Sequence, residues 1–225
     1  MELSLPQAML LLSLNDKTGK TEDGYYQPAF GGAALADLLL HGTIELEADS
    51  SAVVPLRHTG SLGAFLDMCD KELGTAPGPK EISYWISSLG NQKDLIATIA
   101  DELCHLGALT REKTSVFGLF TRTVWPEASP ALEAGLKAEM ANAMFQEIGA
   151  VEERLCLTIA LANAVDLLQY NFDPDLLTTH ADRIAAISKG ECVEAKPSEA
   201  VLKAVKDAIR AANAISDVPI ATIIS

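Results

Sequence analysis

The side chains in this sequence with metal-binding or catalytic capacity are four histidines, four cysteines and a few adjacent carboxylates, and their spacing favours neither use. Cys104 and His105 are neighbours. Successive residues on a helix point about 100° apart, so the two do not readily share one metal ion. His41, His58 and His180 form no i,i+4 pair and no H-E-x-x-H pattern, so no metal or other cofactor is expected. The sequence has no G-x-S-x-G, no P-loop and no G-x-G-x-x-G, which are the nucleophile and phosphate signatures of common enzyme classes. Asp101-Glu102 and Glu152-Glu153 read as solvated helix faces, although folding could bring such a pair into an acid–base couple. A non-enzymatic protein is expected, with an enzyme of unrecognised carboxylate or thiol chemistry as the alternative.

Cations are the scarcer resource. The chain carries a net charge of −14, spread evenly along its length, and has no basic tract. Such a molecule repels nucleic acid and anionic lipid surfaces at long range. The most basic local stretch is 108–122, with Arg111, Lys113 and Arg122. With the helical segments before it, this stretch has the order of a winged helix. The candidate recognition helix, however, sets Lys93 and His105 against Asp94, Asp101 and Glu102, whereas a DNA reader needs a positive one. No nucleic-acid partner is expected.

These residues are positioned by elements that can be read in outline. The chain has 225 residues, 48% of them hydrophobic, enough for one sizeable core. No apolar run approaches the roughly 20 residues that span a bilayer, and Met1-Glu2 starts no basic leader. The expected placement is the cytoplasm or the face of a membrane. The widely spaced Cys69, Cys104, Cys156 and Cys192 read as reduced thiols.

Residues 3–14 form a helix apolar on nearly every side, closed by the polar turn Asn15 to Gly19. A polar, aromatic loop follows from Thr21 to Pro28, then a small-residue helix from about Gly31 to Leu40 that ends at His41-Gly42. Strands are expected at 43–47 and 52–57, and helices at 62–74, 80–88 and 92–106. Residues 108–122 read as a hairpin. Further helices are expected at 130–147, 150–170, 174–188 and 197–214, with Asp173-Pro174 and Lys196-Pro197-Ser198 as starts. Helix 150–170 reads as the central core helix, with Asn163 needing a partner if buried. The apolar tail Val218 to Ser225 reads as a docking segment or a partner site. The sum is a mainly α, single globular multi-helix domain over residues 1–225, with about nine helices, a protruding β-hairpin and a second small β-ribbon.

Collinear segments support one resemblance. They are Leu3–Leu14 with Asp16 and Gly19, Leu38-Leu39-Leu40-His41-Gly42 with its strand, and Trp85-Ile86-Ser87-Ser88-Leu89. Leu103 to Phe120 and Glu153-Arg154-Leu155 through Asp166-Leu167-Leu168 continue the series. In order and spacing the chain resembles a bacterial-type member of the Golgi phosphoprotein 3 family over nearly its whole length.

That resemblance implies a helical fold whose hairpin serves self-association, and peripheral membrane binding through a phosphatidylinositol 4-phosphate headgroup pocket. It further implies a non-catalytic binding or adaptor role toward a lipid headgroup or a protein or peptide partner, with a homo-oligomer formed through hairpin 108–122. In eukaryotic members the pocket uses a loop aromatic, an arginine at the start of the second helix and two arginines on the helix before the hairpin. Here the corresponding positions are Tyr25 or Tyr26, Gly31, Lys93 and Ile96, so at most one of those three cations remains. Each charge-assisted phosphate contact is worth roughly 1.5–3 kcal/mol, so weakened phosphoinositide recognition is expected.

Overall fold

The structure is a computed structural model that describes residues 2–15, 18–21, 26–47, 50, 52–116, 120–146, 149–192 and 199–216. Tyr25, the hairpin turn at 117–119, Lys196-Pro197-Ser198 and the tail Val218 to Ser225 lie outside the described residues.

Helix α1 (Leu5–Ser13) opens on a capping box. The Ser4 hydroxyl accepts from Gln7 N at 3.2 Å, and Gln7 Oε1 accepts from Ser4 N at 3.1 Å, which satisfies two of the amides that a helix start leaves open. All of its residues but Gln7 are buried, as its unbroken apolar sequence requires. It packs against α2 (Gln27–Leu40), α5 (Leu95–His105) and α7 (Glu153–Ala164).

Helix α2 begins four residues earlier than its small-residue pattern suggests, because Pro28 sits in its first turn, where a missing N–H costs nothing. It lies between α4 (Ile82–Gly90) and α11 (Glu199–Ser216), and glycines make that arrangement possible. A Cβ on Gly31 would collide with the Ile86 carbonyl, one on Gly90 with the Gln27 carbonyl, and one on Gly32 with the Ala208 side chain. Gly31-Gly32 is therefore a close-packing signal, one glycine for each neighbour.

The β structure is small. Strands β1 (Ile44–Leu46), β2 (Ala52–Pro55) and β3 (Lys80–Glu81) form an antiparallel sheet in that order, so the expected second ribbon gains a third strand from residues read as helix. The hairpin comprises β4 (Glu112–Val116) and β5 (Phe120–Val124), in register from Glu112↔Val124 to Val116↔Phe120. Helices α3 (Ala64–Thr75) and α6 (Ala131–Phe145) complete the first part of the chain.

Two expected helices are divided. Residues 150–170 form α7 and the short α8 (Leu167–Asn171), because Asp166 adopts a left-handed backbone with φ 59°, which ends one helix and starts another. Asn163 is exposed, which removes the need for a buried partner. Residues 174–188 form α9 (Pro174–Thr179) and α10 (Ala181–Ser188), with Asp173 capping α9 through Asp175 N at 2.8 Å. Eleven helices are thus present among the described residues, where about nine were expected.

A continuous core runs through these helices, with Phe30, Phe65, Met9, Leu35 and Leu161 fully buried. A charge fully inaccessible to solvent lies with it. Asp37 of α2 is inaccessible to solvent and pairs with the Arg154 guanidinium of α7. It also accepts from Leu5 N at 2.6 Å, and Arg154 reaches Glu2 at 2.7 Å. This network ties the starts of α1 and α7 to the last turn of α2.

Candidate functional site

A cleft of about 450 Å³ opens where the loop after α1, the start of α2, the α4–α5 junction and the hairpin meet. The loop is built from local chemistry. Asn15 Oδ1 accepts from Thr18 N at 3.0 Å, Gly19 N donates to Asn15 O at 2.8 Å, and Asn15 N donates to Lys20 O at 2.8 Å. Gly19 takes φ 58°, a left-handed conformation that glycine adopts without penalty. This geometry brings Lys20 and Thr21 to the cleft wall.

Tyr26, Gln27 and Phe30 contribute the α2 side of the cleft, and Asn91, Gln92, Lys93, Leu95, Ile96 and Ala97 the α4–α5 side. Neither Tyr26 nor Asp94, the residues that cap α2 and α5, makes a side-chain capping bond. The first turns of two helices therefore border the cleft, and the partial positive charge of a helix start favours an anion there. Arg122, Thr123 and Trp125 of the hairpin line the remaining side. Trp125 Nε1 is buried with no hydrogen-bond partner among the described residues.

The electrostatics of the cleft are opposite in sign to those of the molecule. Lys20, Lys93 and Arg122 line it, and among the described residues no Asp or Glu does, in a chain with 31 acidic residues. All three cations are exposed, and none is paired with a carboxylate among the described residues. Arg111, the other arginine near the hairpin, is instead occupied by Asp101 at 3.1 Å.

A second cleft of about 410 Å³ has a different character. It lies between α1, α6 and α7 and is lined by Glu2, Glu139, Glu152 and Arg154. Arg154 is committed to Asp37 and Glu2, and Glu152 caps α7 by accepting from Arg154 N and Leu155 N, both at 3.0 Å. Glu2 and Glu152 therefore have structural work. Burial raises the Asp37 carboxyl above its ordinary value against the pull of Arg154. Glu102, read as a solvated face, accepts instead from Phe65 N and Gln7 Nε2, both at 2.8 Å. Two of the thiols are also unsuited to nucleophilic work. Burial pushes Cys156 up to about 11 and raises Cys69 further, so neither forms thiolate near neutrality. No group of three or more potential metal ligands occurs among the described residues.

The sequence and this geometry meet in a comparison with protein families. The family model for Golgi phosphoprotein 3 (GPP34) matches residues 5–212. The chain belongs to that family. Comparison with individual curated proteins finds no match. The family positions distribute unevenly around the first cleft. Tyr26, Lys93 and Ile96 line it, whereas Gly31 is buried one turn into α2 against Ile86. The helix-start position assigned to Gly31 is therefore corrected, since α2 starts at Gln27. Tyr25 is outside the described residues. Lys20, on the loop that also supplies the aromatic of the family pattern, and Arg122, on the hairpin, were not placed here by sequence reasoning. Arg122 was visible only as part of a basic hairpin.

Proposed function

We propose that the protein is a non-catalytic binding or adaptor module that takes a small anionic group, of the phosphomonoester class, in the cleft between the α1–α2 loop, the α4–α5 junction and the hairpin. One observation carries this reading. Among the described residues, three cations without a carboxylate partner and two helix starts surround a cleft that no carboxylate lines, in a molecule of net charge −14. A dianionic phosphate has few other places on such a surface to settle.

Family membership makes a phosphorylated lipid headgroup the natural source of that group, with phosphatidylinositol 4-phosphate as the specific alternative. Two lysines and one arginine form a weaker clamp than the three arginines of the family pattern, because lysine binds as a point charge rather than as a planar fork. The role would place the protein at a membrane face, and no described helix is long and apolar enough to cross a membrane. Self-association through the hairpin and recognition of a protein or peptide partner belong to the same proposal.

Calorimetric titration with water-soluble dibutanoyl phosphatidylinositol 4-phosphate and, separately, with inorganic phosphate tests the reading. The lipid analogue is expected to bind with an affinity that falls as salt rises. Lys93→Ala and Arg122→Ala are each expected to weaken it about tenfold or more, the effect of losing one charge-assisted contact. Equal binding of inorganic phosphate would make the ligand a free anion rather than a headgroup. Absence of heat with both ligands, or binding indifferent to both substitutions, would overturn the proposal.

A further inference from the structure

We propose that an anion held in this cleft also holds the hairpin β4–β5 in place, with Arg122 as the residue that couples the two. This rests on the cleft being an anion site and goes on to its regulation.

Among the described residues, the backbone hydrogen bonds that join the hairpin to the body lie at its base. Trp125 N donates to Gly19 O at 3.0 Å, Thr110 N to Pro126 O at 2.9 Å and Ala128 N to Ala108 O at 2.8 Å. Beyond that base, β4 and β5 pair with each other, and no other helix or strand packs extensively on either. Glu112, Lys113, Thr121 and Arg122 are exposed. An isolated two-stranded ribbon is marginally stable in water, and segments with few buried contacts open locally at low free-energy cost.

One wall of the cleft is therefore a weakly held element. The opposing cations, Lys20 and Lys93, sit on the loop after α1 and at the start of α5, both joined to the core. A ligand that contacts Arg122 together with either lysine binds the docked hairpin better than an undocked one. It then stabilises docking by the same factor by which docking improves its affinity. The strap at Gly19 sets the register of this contact. A Cβ there would collide with the backbone of Trp125 and Pro126, so Gly19→Ala displaces the hairpin base without removing any cation.

Hydrogen exchange of the β4–β5 amides in the full chain tests the coupling, with and without dibutanoyl phosphatidylinositol 4-phosphate. Binding is measured in parallel by calorimetry. At ligand ten times its Kd, the hairpin amides are expected to exchange about tenfold more slowly, while amides of α1 and α2 change little. Arg122→Ala is expected to abolish the protection and retain weaker binding through the lysines. Gly19→Ala is expected to weaken both together, with its fold checked by circular dichroism. Binding without hairpin protection would overturn the coupling and leave the cleft reading intact. Protection that survives Arg122→Ala would remove Arg122 from its role. Neither binding nor protection would overturn both proposals.

Discussion

Asp37 sits in the middle of the apolar run Ala33 to Leu40, where a periodicity argument would place a hydrophobic side chain. Its carboxylate is fully buried, pairs with Arg154 and accepts from Leu5 N, and its backbone carbonyl bonds His41 Nδ1 at 2.8 Å. A buried ion pair adds little net stability, because desolvation of the two charges offsets their attraction. Loss of one partner is a different matter, since it leaves a buried charge alone. Arg154→Ala is expected to destabilise the protein by about 3–5 kcal/mol in urea denaturation. The double replacement Asp37→Leu with Arg154→Leu is expected to cost much less. A single substitution as mild as the double would show that solvent already screens the pair. The sequence does display the two residues, but their pairing across α2 and α7 has no local signature.

At the level of elements, the central contact is the approach of α2 to α4 and α11. Gly31 and Gly90 bring α2 and α4 together backbone to backbone, and Gly32 admits the Ala208 methyl. Helix propensity alone favours alanine over glycine by about 1 kcal/mol, so Gly31→Ala would stabilise an isolated helix. Here the added methyl collides with the Ile86 carbonyl, and overpacking of a rigid contact costs about 1–3 kcal/mol or more. Gly31→Ala is therefore expected to lower the melting temperature. An unchanged or raised value would show that α4 can move away. In the sequence the glycine pair read equally as a close-packing or a loop-to-helix signal, and the residues it packs against were not legible. The break at Asp166 was not legible at all, because the apolar periodicity continues through it from α7 into α8.

For the whole molecule, the distribution of charge sets partner choice. A net charge of −14 opposes approach to any anionic surface, and only within a Debye length of about 8 Å do the cleft cations dominate. Recognition should therefore depend on a headgroup that enters the cleft rather than on the surface charge of a bilayer. Vesicles rich in phosphatidylserine and free of phosphorylated inositol lipid are expected to leave the protein in the supernatant at physiological salt. Pelleting with such vesicles would show that general electrostatic attraction outweighs the acidic bulk of the molecule.

The family resemblance was readable from the order of segments along nearly the whole chain, and the helical class of the fold, the hairpin and the buried character of α1 were readable because they rest on short-range patterns. Apolar period, capping residues, glycine pairs and turn formers act within a few positions of one another. The cation set of the cleft is a tertiary fact. Lys20, Lys93 and Arg122 lie on three different elements, and no local spacing says that a loop, a helix junction and a strand will converge. Gly31, which the small-residue pattern placed at a helix start and the resemblance aligned with a family arginine, is a packing position inside α2, and Lys20 and Arg122 reach the cleft from other parts of the chain. Convergence of distant side chains is decided by how the helices pack, which here depends on where glycine lets backbones touch.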